Sequence, residues 1–325
     1  MRARIVSTGS YSPEAVVTNA DLEKLVDTND AWIVERTGIR ERRKAAPGET
    51  TSQMCTAAAR EALALAGWSA EELDLIIVGT ITPDYPFPSC AVLVQASLGA
   101  KRACAFDISA ACAGSLFAMG LGDQLIRAGS AKKVLVLGAE LLTGITDWTD
   151  RNTCVLFGDG AGAMCLEPST DERGVLSTHL FTDGNASKIL YQPGGGSAHP
   201  VSQRVVDERL ATIRMEGREV YKFAVRALVE AMQTALAANG LTAADLDHVI
   251  AHQANLRIIE AVAKRLDVPM SKVWLNLEQY GNTSSASLPT TLDEANRAGM
   301  LKPGSLIGMM AIGAGMAWGS AVVRW

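Results

Sequence analysis

The chain has 325 residues, of which 48% are hydrophobic and 20% are charged, and its net charge at pH 7 is −5. This composition indicates a large apolar core, and the length favours two domains. The negative net charge argues against a general nucleic-acid-binding protein, so we expect no nucleic-acid partner. Residues 1–6 predict a strand and lack the pattern of a signal peptide, so we expect a cytoplasmic location.

Two segments of the chain have closely similar sequences. Residues 62–77 and 235–250 align at a constant offset of 173 without a gap, and each copy predicts a helix, a turn and a strand. The pattern indicates an internal duplication. We therefore predict an α/β fold with an N-terminal half, 1–170, and a C-terminal half, 171–325. The junction is expected within residues 168–205, where Pro, Gly and Ser accumulate.

A cysteine lies where a predicted strand meets a predicted helix. Residues 103–108 predict a buried strand, and after Cys112 the residues Leu116 and Met119 continue at helical spacing until Gly129. Small neighbours would let a substrate approach closely. The N–H groups and partial positive charge of a helix N-terminus favour a thiolate. We interpret Cys112 as a candidate nucleophile, and the alternative is a small core residue.

Among the four histidines, His252 has the most informative position. The apolar run 249–251 ends at His252 and polar residues follow, which predicts the carboxyl end of a strand, where α/β enzymes place their sites. His248 lies four residues earlier, so a metal pair is a possible interpretation. The β-branched residues Val249 and Ile250 predict a strand instead, and no further ligands cluster there, so we expect no metal.

Three other segments of the chain each have two possible interpretations. Asn282 precedes a predicted helix of small residues, and its alternative interpretation is an ordinary Asn-containing helix start. The glycines of 158–162 could suggest a phosphate loop, but residues 164–166 predict a strand, so we interpret them as a structural bend.

Residues 305–323 carry no charge and could span a bilayer. Their four glycines predict two buried strands joined by a loop instead, and no membrane association.

The cysteine content of the chain indicates a reduced protein. The six cysteines are Cys55, Cys90, Cys104, Cys112, Cys154 and Cys165. Several of them lie in predicted apolar strands, and none lies beyond residue 165. We therefore expect reduced core thiols rather than a framework of disulfides.

Taken together, Cys112, His252 and Asn282 resemble the Cys-His-Asn triad of β-ketoacyl-acyl-carrier-protein synthase III, a condensing enzyme of the thiolase superfamily. The resemblance covers essentially the whole chain. It includes the glycine-rich segment 157–163 and a C-terminal closing loop at 312–319. It implies a five-layered αβαβα thiolase fold made of two duplicated halves, and normally a homodimer.

The resemblance also implies an activity. Cys112 would take the acyl group of an acyl-coenzyme A, and malonyl-acyl-carrier protein would then lose carbon dioxide and attack the acyl-cysteine. His252 and Asn282 would stabilise the enolate, and the backbone N–H groups of Cys112 and Ala314 would form the oxyanion hole. The product would be a 3-oxoacyl-acyl-carrier protein that starts fatty-acid synthesis. Acyl-coenzyme A is a substrate, so no cofactor is expected.

Substrate-binding residues follow from the same resemblance. Coenzyme A is expected to bind Thr28, Trp32, Arg36, Arg151, Gly217 and Asn255. An acidic carrier protein is expected to dock on Lys222, Arg257, Lys264 and Arg265. For Lys264 and Arg265, a solvated helix face is an equally good interpretation. The acyl pocket is expected to contain Phe87, Ile312 and Met316.

Several features discriminate among related enzymes. The loop 312–319 lacks the second cysteine of thiolases, and Asn282 replaces the second histidine of elongating enzymes. Chalcone-synthase-like enzymes share the triad but are typically longer. Family members often carry Gly at the position of Ala314 and aromatics at Ile312 and Met316, so acetyl is the default primer and other primers stay open. The remaining alternatives are a condensing enzyme of secondary metabolism, a catalytically silent partner subunit and a Cys–His hydrolase.

Overall fold

The computed structural model describes residues 1–325, which form 14 strands and 11 α-helices. The strands are β1 (Ala3–Tyr11), β2 (Ala15–Thr18), β3 (Glu41–Lys44), β4 (Leu75–Gly79), β5 (Cys104–Ile108), β6 (Val134–Leu141), β7 (Asp159–Pro168), β8 (Gly174–Thr182), β9 (Leu190–Tyr191), β10 (Arg214–Met215), β11 (His248–Ala251), β12 (Val273–Trp274), β13 (Leu306–Gly313) and β14 (Ala317–Arg324). The helices are α1 (Asn19–Leu22), α2 (Asp30–Thr37), α3 (Thr51–Ala66), α4 (Cys90–Leu98), α5 (Gly114–Arg127), α6 (Arg151–Cys154), α7 (Gln203–Asp207), α8 (Gly217–Ala238), α9 (Leu256–Leu266), α10 (Leu277–Tyr280) and α11 (Ser287–Arg297).

Two five-stranded sheets have the same strand order. The first runs β1-β7-β6-β4-β5, and the second, from the equivalent edge, runs β8-β14-β13-β11-β12. In the first sheet β4 is parallel to β5 and β6, whereas β6 and β1 are antiparallel to β7. The second sheet repeats this pattern, with β11 parallel to β12 and β13, and β14 antiparallel to β13 and β8. The two sheets are therefore duplicates of one unit.

Details at equivalent positions support the same duplication. Capping boxes begin at Ser69 and at Thr242, which are 173 residues apart. Short 3₁₀ turns, Ala111–Ala113 and Ser284–Ala286, precede α5 and α11 at the same spacing. The first residues of these turns adopt left-handed backbones, with φ 45° at Ala111 and 51° at Ser284. Left-handed backbones are uncommon outside glycine, so their recurrence shows that both turns have the same build.

The helices form three layers around the two sheets. Helices α3 and α4 cover the outer face of the first sheet, and α8 covers the second with α9 packed beside it. Helices α5 and α11 lie between the sheets, where α5 contacts β4 and β14 and α11 contacts β7 and β11. Three apolar clusters fill these layers. The five-layered αβαβα prediction is confirmed.

Each half of the chain supplies the strands of one five-stranded sheet. The strands of the first sheet end at Pro168, and those of the second begin at Gly174. The predicted boundary between 170 and 171 lies between these two points. Since α11 packs against strands of the first sheet, the halves interlock, and the boundary itself stays a prediction.

Strand β5 differs from its prediction. It forms at Cys104–Ile108, within the expected residues 103–108, but it is the edge of the first sheet and has a neighbour, β4, on one side only. Its side chains are therefore partly exposed, and Cys104 is exposed rather than a core thiol. The other five cysteines are buried, and all six are free. The prediction of a buried strand was wrong because an edge strand lacks cover along one side.

The C-terminal apolar stretch folds as predicted. Strands β13 and β14 are antiparallel partners in the second sheet, and three residues join them. Nearly all their side chains are buried. Helices of a length and hydropathy suited to crossing a bilayer are not found in the chain.

Candidate active site

Cys112 lies in the 3₁₀ turn between β5 and α5. Its side chain is buried, and burial raises the pKa of the thiol to about 12. The Ser284 hydroxyl acts in the opposite direction, because hydrogen bonding to the sulfur lowers this pKa, whereas the charge of Glu140 raises it further. Burial therefore favours the protonated thiol and acts against the helix N-terminus, whose support of a thiolate stays a prediction.

His252 follows the last residue of β11. Its Nδ1 lies 2.6 Å from Ser287 Oγ, and Ser287 Oγ is also 2.8 Å from the Ser284 carbonyl oxygen, to which it can donate. Burial lowers the pKa of His252 to about 3, so its imidazole is neutral. The single Ser287 proton can serve only one of these two acceptors. When it goes to Nδ1 rather than to the Ser284 carbonyl, the imidazole carries its own proton on Nε2. His252 then presents an N–H donor at the nitrogen that Ser287 leaves free.

Asn282 is held by backbone pairing with the glycine-rich segment. Its N–H donates to the Leu156 carbonyl at 2.8 Å, and the Gly158 N–H donates to the Asn282 carbonyl at 3.0 Å. A Cβ at Gly158 would collide with the Tyr280 carbonyl oxygen, so glycine is required for this approach. Asn282 Oδ1 accepts from the Ser284 N–H at 2.9 Å, which leaves the Nδ2 group as a free donor. Gly158 precedes β7, and Gly160 and Gly162 lie within it, so the segment leads into a strand rather than a helix, as predicted.

One cavity of about 1780 Å³ brings the three candidate catalytic residues together. Cys112, His252 and Asn282 all line it, and so does the loop that contains Ala314. A Cβ at Gly313 would lie 2.5 Å from the Cys112 nitrogen, so this loop packs directly against the backbone of the nucleophile. The Ala314 N–H donates to no backbone or side-chain acceptor in the chain. The arrangement therefore offers an unpaired N–H beside the cysteine.

An aromatic ring between two cations marks one end of the cavity. The guanidinium groups of Arg36 and Arg151 each lie 4.9 Å from the centroid of the Trp32 ring. Trp32 and Arg36 line the cavity, whereas Arg151 does not and donates to the Asp27 carbonyl at 2.8 Å. Thr28 does not line the cavity either, and its buried hydroxyl has no hydrogen-bond partner.

The remaining predicted coenzyme A residues occupy helix starts. Gly217 is the first residue of α8 and lines the cavity. Asn255 also lines it and caps α9, with Oδ1 accepting from the Arg257 N–H at 2.9 Å. Asn255 Nδ2 donates to the Arg36 carbonyl at 3.0 Å, which ties α2 to α9. Both polar groups of Asn255 are thus already used within the protein.

The predicted docking residues separate into two groups. Lys222 and Arg257 are exposed and line the cavity, and Lys222 pairs with Glu219 at 2.8 Å. Lys264 and Arg265 are exposed on the last turn of α9 and do not line the cavity. Of the two predicted docking residues that line the cavity, only Arg257 forms no salt bridge.

The predicted acyl pocket is only partly assembled within the chain. Ile312 and Met316 are buried and line the cavity. Phe87 is 86% exposed and does not line it, because the loop between β4 and α4 directs this side chain to solvent. Phe87 therefore lies outside this cavity, and its place in the acyl pocket stays a prediction.

Sequence reasoning missed three residues around the candidate catalytic groups. Ser287 contacts His252, Ser284 contacts Asn282, and Glu140 contacts Ser284. The serine-rich run at 284–287 was visible in the sequence, but it predicted small helix residues rather than hydrogen-bonding groups. Glu140 lies in an apolar strand, and no motif marks it.

Comparisons with known proteins agree with this geometry. Residues 106–184 match the family model of 3-oxoacyl-[acyl-carrier-protein] synthase III, and residues 236–325 match that of its C-terminal region. A β-ketoacyl-[acyl-carrier-protein] synthase III of Caldanaerobacter subterraneus is 51% identical over 99% of this chain and 98% of its own. The crystal structure of 3-oxoacyl-[acyl-carrier-protein] synthase III from Aquifex aeolicus has a TM-score of 0.93 at 47% identity, covering 99% of this chain and all of that one. A priming β-ketosynthase of the R1128 polyketide pathway has a TM-score of 0.92 at 36% identity, over 99% of this chain and 96% of that one. The chain therefore belongs to the 3-oxoacyl-[acyl-carrier-protein] synthase III family.

Proposed function

We propose that the protein condenses an acyl-coenzyme A with malonyl-acyl-carrier protein and releases coenzyme A, carbon dioxide and a 3-oxoacyl-acyl-carrier protein. This reaction would start fatty-acid synthesis, with acetyl as the default primer. The observation that carries the proposal is the convergence of Cys112, His252 and Asn282 on one cavity. They supply a nucleophile, a neutral imidazole and an amide donor.

The first half-reaction needs the cysteine and the loop beside it. The Cys112 thiolate attacks the thioester carbonyl, and the tetrahedral oxyanion accepts hydrogen bonds from the backbone N–H groups of Cys112 and Ala314. Collapse of this intermediate breaks the bond to the coenzyme A sulfur and leaves an acyl-cysteine. The unpaired N–H of Ala314 supports its part in this step.

The second half-reaction needs the other two residues. When the malonyl carboxylate leaves as carbon dioxide, its bonding electrons form an enolate on the thioester. The enolate oxygen accepts from His252 Nε2–H and from Asn282 Nδ2–H. The carbanion then attacks the acyl-cysteine carbonyl, and the Cys112 thiolate leaves. Asn282 cannot carry a proton, so the pair suits charge stabilisation rather than proton transfer.

Separate surfaces of the protein are assigned to coenzyme A and to the carrier protein. The Trp32 ring with Arg36 and Arg151 offers stacking and phosphate pairing for the nucleotide end of coenzyme A. Gly217 and Asn255 would line the pantetheine path. The exposed guanidinium of Arg257 lies on the cavity wall, where the acidic carrier protein would deliver its malonyl group.

The proposal extends to assembly and location. We assign a cytoplasmic homodimer, and the open edge strand β5 and the exposed Phe87 support the dimer. A second copy would cover both features. Light scattering coupled to gel filtration measures this directly, and a monomer at all concentrations would contradict it.

Mass spectrometry of the intact protein tests the activity. After incubation with a panel of acyl-coenzyme A thioesters, one acyl group should appear on Cys112, and the preferred acyl group identifies the primer. Cys112→Ala should give no adduct. Asn282→Ala should still acylate but lose decarboxylation and condensation by about 10²–10³-fold, the usual cost of one oxyanion donor.

The alternatives give different results in the same experiment. A silent partner subunit would form no acyl adduct with any thioester. A Cys–His hydrolase would release free acid without malonyl-acyl-carrier protein. Equal loss of both half-reactions in Asn282→Ala would remove Asn282 from the assigned role.

A further inference from the structure

Arg42 of β3 has the largest fully buried side chain of the protein, and it does not line the cavity. Its Nη1 donates to the Val17 carbonyl at 3.1 Å and to Asn19 Oδ1 at 2.9 Å, and its Nη2 donates to the Val155 carbonyl at 2.8 Å. All three acceptors are uncharged. A buried cation without a carboxylate partner is costly, so this position calls for a reason beyond packing.

Close packing fixes the stem of Arg42. A Cβ built at Gly158 or at Gly281 would lie 3.1 Å from the Arg42 Cβ, so both glycine backbones approach this side chain. Gly158 pairs with Asn282 through its backbone, and Gly281 precedes Asn282 in the chain. With its stem held there, the guanidinium is a fixed point to which other segments can be tied.

Asn19 carries the contact from Arg42 to α2. Its buried amide accepts from Arg42 through Oδ1, and its Nδ2 donates to Asp30 Oδ1 at 2.8 Å and to the Ile39 carbonyl at 2.9 Å. Asp30 is the first residue of α2, and Ile39 lies just beyond its last turn. One amide therefore holds both ends of the helix that presents the Trp32 ring.

The other nitrogen of the guanidinium reaches α6. Val155, whose carbonyl accepts from Nη2, is the C-cap of this helix, and Arg151 is its first residue. The Arg151 guanidinium lies 4.9 Å from the centroid of the Trp32 ring. Arg42 is thus bonded to the supports of both members of this stacked pair.

We propose that Arg42 is a positioning residue for coenzyme A, which holds Trp32 on α2 and Arg151 on α6 in their mutual arrangement without touching the ligand. The inference rests on the proposed function, which assigns these two groups to the nucleotide end of coenzyme A. A ligand meets both groups only if it carries the nucleotide. Loss of the Arg42 contacts should therefore weaken coenzyme A thioesters and spare thioesters of pantetheine, which lack the nucleotide.

Binding and kinetics together test the inference. Arg42→Lys keeps the charge and most of the stem, but one ammonium group cannot reproduce the fork of two nitrogens that reaches both helices. The Kd of coenzyme A, measured by calorimetry, should rise about tenfold, as for the loss of a hydrogen bond to a charged group. In acylation of Cys112, the KM for acyl-coenzyme A should rise by a similar factor while kcat and the KM for acyl-pantetheine stay near wild type.

A second variant isolates the contact with α2. Asn19→Ala removes this link alone, and it keeps the inference testable if Arg42→Lys does not fold. It should also raise the Kd of coenzyme A, and the double variant should bind no more weakly than Arg42→Lys, because both substitutions break one chain of contacts. Arg4→Lys is the matched control, since Arg4 pairs with Glu167 away from the cavity wall, and its Kd should stay at the wild-type value.

A purely structural role for Arg42 predicts a different pattern. Lower stability reduces the amount of folded enzyme, so kcat would fall for both thioesters while both KM values stayed unchanged, and this result would overturn the inference. An unchanged Kd in both Arg42→Lys and Asn19→Ala would also overturn it, as would an equal rise of the KM for acyl-pantetheine. Wild-type protein that binds coenzyme A but forms no acyl-cysteine would count against the proposed function alone.

Discussion

One serine hydroxyl holds the imidazole of the site. Ser287 Oγ is the one side-chain hydrogen-bond partner of His252, at 2.6 Å from Nδ1, and it also accepts from the Gln253 N–H. A buried neutral imidazole keeps the tautomer that its partner favours. The donor at Nε2, which the decarboxylation step requires, therefore depends on a residue that contacts no substrate.

Removal of this hydroxyl should separate the two half-reactions. In Ser287→Ala, Nδ1 loses its partner and the Nε2–H tautomer loses its support. Decarboxylation and condensation should fall about tenfold, the effect of losing about 1.4 kcal/mol of hydrogen bonding. Acylation of Cys112 from acyl-coenzyme A should change little. Single-turnover measurements of each half-reaction provide the readout.

The neighbouring serine provides a matched control. Ser285 Oγ is buried and has no hydrogen-bond partner, so Ser285→Ala removes a hydroxyl of the same kind without breaking a contact. This variant should keep both half-reactions near wild type. Equal losses in Ser285→Ala and Ser287→Ala would assign the effect to packing rather than to the imidazole.

At the residue scale, the sequence predicted the groups with distinctive neighbours and missed those defined by distant contacts. The sequence predicts a strand or turn before each of Cys112, His252 and Asn282 and a helix after it. Glu140 bonds Ser284 across 144 residues of sequence, and the apolar strand around Glu140 does not distinguish it from an ordinary core position. No local pattern could have paired them.

At the element scale, the glycine-rich segment positions a turn rather than a phosphate. Gly158 and the Asn282 turn pair through their backbones, and the second copy of the 3₁₀ turn follows directly. The duplication could be predicted because both copies keep identical spacing. The order of strands in the sheets could not, since it depends on pairings between segments far apart in sequence.

A methyl group at Gly158 should therefore disturb Asn282 in particular. In Gly158→Ala the added Cβ meets the Tyr280 carbonyl, so the turn must move. We expect a loss of about 1–3 kcal/mol in stability, as for other overpacked sites, and a larger loss of condensation than of Cys112 acylation. Thermal unfolding and the two half-reactions measure these effects.

Gly184 supplies the comparison for this variant. No atom lies within 4 Å of a Cβ built there, so Gly184→Ala adds the same methyl group in open space. Its stability and both half-reactions should stay near wild type. Unchanged condensation in Gly158→Ala would mean that the Asn282 turn adapts, and that the close approach has no role in the chemistry.

At the scale of the whole molecule, one face carries exposed cations although the net charge of the protein is negative. The protein carries −5 overall, yet exposed cations lie along α8 and α9 beside the cavity. Arg257 stands at the first turn of α9, and Lys264 and Arg265 stand at the last turn, about 11 Å along the helix axis. An acidic carrier protein would meet this face in preference to the rest of the surface.

Reversal of one charge at the cavity should impair the carrier-protein step selectively. Arg257→Glu should slow turnover with malonyl-acyl-carrier protein, mostly through slower association, and wild-type turnover should weaken as salt rises. Acylation from acyl-coenzyme A should change much less, because Trp32, Arg36 and Arg151 are assigned to its nucleotide. Lys101→Glu makes the same charge change at an exposed residue away from the cavity wall, and it should leave both rates near wild type. If Arg257→Glu instead blocks acylation and leaves carrier-protein affinity unchanged, Arg257 belongs to the coenzyme A site and the carrier protein docks elsewhere.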